Sequence, residues 1–167
     1  APVSELQEKY GFPNPKGLME YISTCKREFK PQTKFQYSCL NYITLQHIIE
    51  TITGQSLRDF AKENIFDILG MQYTDYLPTI QQQDGKWINT VACPWMDRIA
   101  PTEKQKDGSV LCGQVHDPLA RILNGGISGN AGIFSNANDI GILAAALLNG
   151  GEYNGRRILS PLGVKTM

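Results

Sequence analysis

A phenol and a thiol stand two residues apart, at Tyr37 and Cys39, in the run PQTKFQYSCLNYITLQHIIETITGQSL. The phenol could pass a proton to or from a reacting group, and the thiol could attack one. Both need help. Free tyrosine has a pKa near 10 and is only about 0.1% ionised at neutral pH, so Tyr37 works as a base only with cations nearby. Cys39 needs a partner base or a cationic setting to become thiolate. His47 lies eight residues on, about two turns up the helix expected there, and out of reach. The expectation for Cys39 is a packed, inert thiol. The residues around Pro31 read as extended and turn-like, directly ahead of a strongly apolar helix. At such a junction a side chain can be exposed yet rigidly held.

Other chemistry-bearing groups are sparse. His116-Asp117 is a tempting pair, but adjacent residues do not naturally form a base with its orienting partner. Asp117 before Pro118 suits a helix cap, so a loop-anchoring role is expected. Cys25, Cys39, Cys93 and Cys112 are widely spaced, and His47 and His116 are the only histidines. No metal site is expected from that spacing, and no cofactor motif is read. Lys+Arg and Asp+Glu are 16 each, which leaves no basic footprint for nucleic acid. The apolar run Ile142 to Leu148 is far too short to span a bilayer. The opening APVSEL shows no charged-then-apolar leader and does not look like a natural start.

The elements that would hold these groups are mostly helical. SELQEKYG has a capping-box pattern at Ser4 and Gln7 and stops at Gly11. Asn14 and Pro15 open a second helix whose apolar face is Leu18, Ile22, Cys25 and Phe29, ended by Pro31. After Tyr37, the residues Ile43, Leu45, Ile48, Ile49 and Ile52 form a stripe wide enough to predict burial on most sides. Ser56 and Asp59 open the next helix, and Gly70 stops it. QQQDGKWINTV and EKQKDGSVLCGQV each place Asp-Gly between short alternating segments, a hairpin signal. Helix returns at Pro118, and again after Ser135 or Asn136 with Ile140, Leu143, Ala144, Leu147 and Leu148 facing inward. Ser160-Pro161 begins a last helix. The expected fold class is mainly α, with long loops and one or two small hairpins.

The order of these segments resembles the serine β-lactamase-like superfamily, which includes class C β-lactamases, D-alanyl-D-alanine carboxypeptidases and related esterases. P-x-T-x-F-x-Y-S matches at Pro31, Thr33, Phe35, Tyr37 and Ser38. It is followed by I-I-E-x-x-x-G at Ile48, Ile49, Glu50 and Gly54, and by L-G-M-x-x-T at Leu69, Gly70, Met71 and Thr74. GQVHDPLARILNGGISGNAGIFSNANDI is similar to the family's later G-x-V-H-D and G-x-A-G-L-F-S-T-A-x-D-L stretches. The resemblance covers nearly the whole chain.

It implies an acyl-transfer site built from three motifs: S-x-x-K, Y-x-N and a late K-T-G or H-T-G strand. Tyr37 takes the tyrosine's place as general base. Cys39 takes the place of the family's substrate-contacting Asn, although a thiol donates and accepts hydrogen bonds only weakly. Asn130 stands where many relatives carry His, so a substrate contact transfers there but no acid–base role. STCK is formally S-x-x-K at Ser23 and Lys26, but it lies only 14 residues ahead of Tyr37 and reads as a polar patch on a helix. KTM near the C-terminus lacks the needed glycine. Residues 1–167 are therefore expected to be the central helical subdomain of the α/β penicillin-recognising fold, with the first and third motifs outside it. The resemblance further implies a serine hydrolase acting on a small molecule or cell-wall peptide, in an exported bacterial protein, with the 167 residues inactive alone. A non-catalytic helical binding module with a decayed site is the alternative.

Overall fold

Seven helices and eight short strands follow one another in the computed structural model, which describes residues 3–167. The first helices are α1 (Val3–Tyr10), α2 (Pro15–Thr24) and α3 (Cys39–Thr53). Then α4 (Leu57–Ala61) continues through a π-helical turn at Lys62–Phe66 into α5 (Asp67–Leu69). Strands β1 (Asp75–Tyr76), β2 (Thr79–Gln81), β3 (Trp87–Asn89), β4 (Glu103–Lys104) and β5 (Val110–Leu111) occupy the middle. A second π-helical turn spans Leu119–Leu123, and β6 (Ile133–Phe134) leads into α6 (Ala137–Leu148). A hairpin of β7 (Glu152–Tyr153) and β8 (Arg156–Arg157) precedes α7 (Pro161–Thr166). Two units share these elements: residues up to Gly54 together with Leu77–Gly132, and Gln55–Tyr76 together with Ile133–Met167.

In the first unit the core is Leu6, Leu18, Ile43, Leu119 and Leu123, one or two residues from each of α1, α2, α3 and the π-turn. Burying each such side chain contributes about 1.5–3 kcal/mol. Asn14 ties three of these pieces together. Its Oδ1 accepts from the Gly17 N–H at 2.9 Å, its amide donates to the Tyr10 carbonyl at 2.7 Å, and its own N–H donates to the Leu123 carbonyl at 2.9 Å. Gly17 is required there, because a Cβ would sit 2.6 Å from the Tyr10 ring.

In the second unit a buried carboxylate does the joining. Asp139, in the first turn of α6, accepts from the Tyr73 N–H and the Thr74 hydroxyl, each at 2.8 Å. Thr74 also meets the Ser135 hydroxyl at 2.7 Å. Close by in sequence, Arg58 grips Asp75 with two hydrogen bonds of 2.9 and 2.6 Å, a bidentate arrangement. Asp75 pairs with Phe134 in the antiparallel β1–β6 ladder.

Several sequence-based expectations need correction. The fold is not mainly α: 44% of residues are helical, and 12% are in strands or bridges. Four two-stranded ladders form, where one or two hairpins were expected. The two Asp-Gly hairpins are β2–β3 and β4–β5. The third hairpin turns on Asn154 and Gly155, with φ of 48° and 72°, the left-handed pair such a tight turn needs. The fourth ladder joins segments far apart in sequence, and strands of two residues leave no readable alternation. The α2 helix stops at Thr24, before Pro31, and Ser4 lies inside α1 instead of capping it. Most of the α3 stripe faces outward: Leu45, Ile48 and Ile52 are 53%, 45% and 79% exposed, while Ile43 and Gln46 are buried. On α6, Ile140, Ala144 and Leu148 are exposed, and the buried residues are Asp139 and Ala146.

At the β4–β5 turn the Asp107 carboxylate accepts from the Ser109 hydroxyl at 2.6 Å and the Ser109 N–H at 2.9 Å. These bonds, the hydroxyl's first, hold its pKa below the usual carboxylate range. A depressed folded pKa stabilises the turn above the unfolded value and loses that effect as pH falls through the folded one. Acid titration followed at the Ser109 amide by NMR should show an abnormally low midpoint. Ser109→Ala should move the midpoint up, and an unshifted midpoint would contradict the arrangement.

Candidate functional site

The Ser38 cap sets the geometry of the candidate site. Ser38 is extended (φ −150°, ψ 134°), and its hydroxyl accepts from the Leu40 N–H at 3.2 Å. The chain therefore enters α3 at an angle, with Tyr37 just outside the helix and Cys39 as its first residue. The Tyr37 hydroxyl lies 3.9 Å from the Cys39 sulfur, and its ring sits 5.8 Å from that of Tyr42 at 45°. Tyr37 is 61% exposed, so the phenol is held by its neighbours and open to solvent. The hydrogen bond with Cys39 pushes its pKa up, helped by the charge of a Cys39 thiolate and by Tyr42 and Asp117. These neighbours favour the neutral phenol, a proton donor. Proton abstraction would need a cation brought beside it.

Asn130 is placed by a network that sequence reading missed. Gln46, 6% exposed, points from α3 into the segment 124–129 and uses its whole amide. Its nitrogen donates to the Ile127 carbonyl at 3.2 Å and the Glu50 carboxylate at 3.1 Å. Its oxygen accepts from the Gly129 N–H at 3.0 Å and the Asn124 amide at 2.9 Å. Asn124 also donates to the Ser128 hydroxyl at 2.9 Å, and Ser128 donates to the side-chain Oδ1 of Asn130 at 2.7 Å. Backbone approaches closely at Gly129, where a Cβ would lie 2.0 Å from the Tyr42 carbonyl oxygen. Tyr42 thus touches both the ring of Tyr37 and the backbone beside Asn130. No hydrogen bond joins Asn130 to Tyr37 or Cys39. One signal for Gln46 was available: an amide set between Leu45 and His47, directly ahead of the apolar pair Ile48 and Ile49.

The remaining candidates are engaged in local contacts of their own. Ser23 donates to the Glu20 carbonyl at 2.8 Å, and α2 ends at Thr24, so Lys26 does not sit one helical turn beyond Ser23. Asp117 caps the π-turn by accepting from the Ala120 N–H at 2.9 Å. His116 approaches Glu103 at 3.5 Å, and Arg121 donates to the Val115 and His116 carbonyls. All four cysteines are free thiols. Among the described residues, no group of three or more His, Cys, Asp and Glu could hold a metal ion.

Two outcomes follow from this geometry. Gln46→Leu leaves the Gly129 N–H, the Ile127 carbonyl and the Asn124 amide short of partners. Each buried unsatisfied group costs about 1–3 kcal/mol, so urea denaturation should show a loss of about 3 kcal/mol or more. A loss below about 1 kcal/mol would mean that the network carries little. Subtracting the Tyr37→Phe absorbance titration from the wild type isolates Tyr37, which should ionise above the ordinary tyrosine range. Cys39→Ala should bring it down. A raised folded pKa favours the folded chain below the unfolded value, and that contribution fades as pH rises through the folded one.

The sequence profile of the family described as Beta-lactamase matches residues 3–167. Proteins named "Putative D-alanyl-D-alanine carboxypeptidase" in Escherichia coli (strain K12) and Salmonella gallinarum are 34% identical over 159 residues and 32% over 152. These alignments take in 88% and 84% of this chain but 34% and 33% of the relatives, so the chain spans about a third of their length. A D-stereospecific amidohydrolase from Streptomyces sp. superposes with a TM-score of 0.61 at 17% identity, over 98% of this chain and 42% of that one. The octameric penicillin-binding protein homologue from Pyrococcus abyssi gives 0.58 at 18%, over 100% of this chain and 31% of that one. Both superpositions include the strands as well as the helices, so the expected helical subdomain is replaced by a mixed α/β portion of the fold. With a family profile matched from Val3 to Met167, the chain belongs to the Beta-lactamase family, in the serine β-lactamase-like superfamily.

Proposed function

We propose that this chain supplies the tyrosine-bearing segment of a serine hydrolase that cleaves an amide or ester through an acyl-serine intermediate. The observation that carries the reading is Tyr37 itself, exposed at the capped entrance to α3 with its hydroxyl turned to a small polar neighbour. In this reading the attacking serine and its lysine come from an S-x-x-K segment outside these 167 residues, and the late K-T-G or H-T-G strand does too. The lysine supplies the cation that Tyr37 lacks, drawing its pKa down so that the phenol can exchange a proton with the serine. Cys39 and Asn130 border the substrate amide. The names of the relatives and solved neighbours, carboxypeptidase, amidohydrolase and D-amino acid amidase, support a peptide or amino-acid amide as substrate.

The thiol at Cys39 favours a second reading, a binding module with a decayed site. It raises the pKa of Tyr37 and offers only a weak hydrogen bond to a substrate amide. Activity assays separate the two. The 167-residue chain alone should hydrolyse neither nitrocefin nor a p-nitrophenyl ester, and turnover abolished by Ser23→Ala would overturn the assignment of the nucleophile. In the longer gene product, Tyr37→Phe should lower kcat by about 10²–10⁴-fold, the usual weight of a general acid–base group. An unchanged kcat would remove Tyr37 from the chemistry, and a longer product that binds without hydrolysing would favour the module.

A further inference from the structure

The polarity of the Gln46 network can be followed from two fixed points to the side chain of Asn130. The two ends of an amide have nearly the same shape, so its partners decide which way it faces. Two partners of Gln46 are backbone groups with fixed roles. The Gly129 N–H donates and the Ile127 carbonyl accepts, which puts the Gln46 oxygen on Gly129 and its nitrogen on Ile127. That oxygen takes a second proton, so Asn124 turns its NH2 group toward it at 2.9 Å. The same NH2 group gives its other proton to the Ser128 hydroxyl at 2.9 Å, and Ser128 donates to Asn130 Oδ1 at 2.7 Å. Asn130 is the third residue of a tight turn, closed by the Ala131 N–H on the Ser128 carbonyl at 3.3 Å, and is half-buried. Its oxygen is thereby committed to Ser128. No described residue accepts a hydrogen bond from its Nδ2.

We infer that Asn130 serves the candidate site as a hydrogen-bond donor, and that the substrate group it recognises is an acceptor, a carbonyl or carboxylate oxygen near the bond that is cleaved. Ser128 and Gln46 are positioning residues that act through Asn130. A substrate with an N–H or ammonium at that place meets donor against donor and is disfavoured. The substrate assignment rests on the hydrolase reading above, whereas the direction of the amide rests on the relay alone.

Two measurements test these two parts separately. In the 167-residue chain, NMR exchange with water reads the amide itself. The Asn124 NH2 protons, both donated and buried, should exchange slowly. The Asn130 NH2 protons, identified by their loss in Asn130→Asp, should exchange at least tenfold faster. Asn130 protons protected like those of Asn124 would mean a reversed amide and overturn the inference. In the longer gene product, p-nitrophenyl N-acetylglycinate offers an acyl-side carbonyl that p-nitrophenyl pentanoate lacks. Its KM should be lower by about three- to tenfold, the weight of one neutral hydrogen bond. Asn130→Asp keeps the acceptor for Ser128 but sets a carboxylate against the substrate oxygen. The preference should vanish at neutral pH and return as the carboxylate gains a proton and becomes a donor. Ser128→Ala should shrink the KM ratio, which a loss of stability alone would not do. A preference that survives Asn130→Asp at neutral pH would overturn the substrate assignment. Hydrolysis of neither ester would strike the hydrolase reading, and the exchange rates would still decide the direction of the amide.

Discussion

A single buried amide carries much of the first unit. Gln46 has two donors and two acceptor sites, and all four are occupied by partners on α3 and on the segment from Asn124 to Gly129. Buried polar groups are stabilising only when satisfied, so the network holds as a whole or costs several groups at once. Its members lie about eighty residues apart in sequence. No apolar residue could take the place of Gln46, because backbone groups of the 127–129 segment have no strand or helix to pair with. The same amide donates to the Glu50 carboxylate and, through Asn124 and Ser128, connects to Asn130.

The site at the entrance of α3 depends on that anchoring from the other side. The Ser38 cap directs Tyr37 away from the helix, while Gly129 presses backbone against the Tyr42 carbonyl. The Cys39 thiol, and after it Tyr42, push the pKa of Tyr37 up. Among the described residues, the side chains that shift the pKa of Tyr37 are Cys39, Tyr42 and Asp117, none of them a cation. The structural residues of the family motifs behave differently. Thr74 and Asp139, both from matched stretches, are buried and bonded to each other, and Met71 is 3% exposed. Those positions are engaged in holding the second unit together.

Apart from Ser4, which lies inside α1, capping and turn chemistry were legible in the sequence where the signal lay within one turn. Asn14 with Pro15, Ser56, Asn136 and Ser160 all cap helices as residue type and spacing suggest, and Ser38 caps α3 without having been read as a cap. Gly54 and Gly70 adopt the left-handed stop. The Asp-Gly turns likewise produced their hairpins. Asn154-Gly155 carried an equally plain turn signal, yet its two-residue strands offered no alternation to accompany it. Hydrophobic periodicity was a poorer guide to burial. It found the helix at residues 39–53 but put Leu45, Ile48 and Ile52 inside, where the only buried residues are Ile43 and Gln46.

Local order thus belonged largely to the sequence: most helix caps, where the chain reverses, and that Tyr37 stands at the mouth of α3. Each depends on hydrogen bonds spanning three or four residues, and their cost and gain are written in neighbouring side chains. The tertiary structure alone decided the β1–β6 ladder, the outward turn of the α3 stripe, and the Gln46 network beside Asn130. Those features join residues separated by tens of positions. Pairing at such distances follows from which surfaces meet after the chain closes on itself, and no short window of residues contains that information.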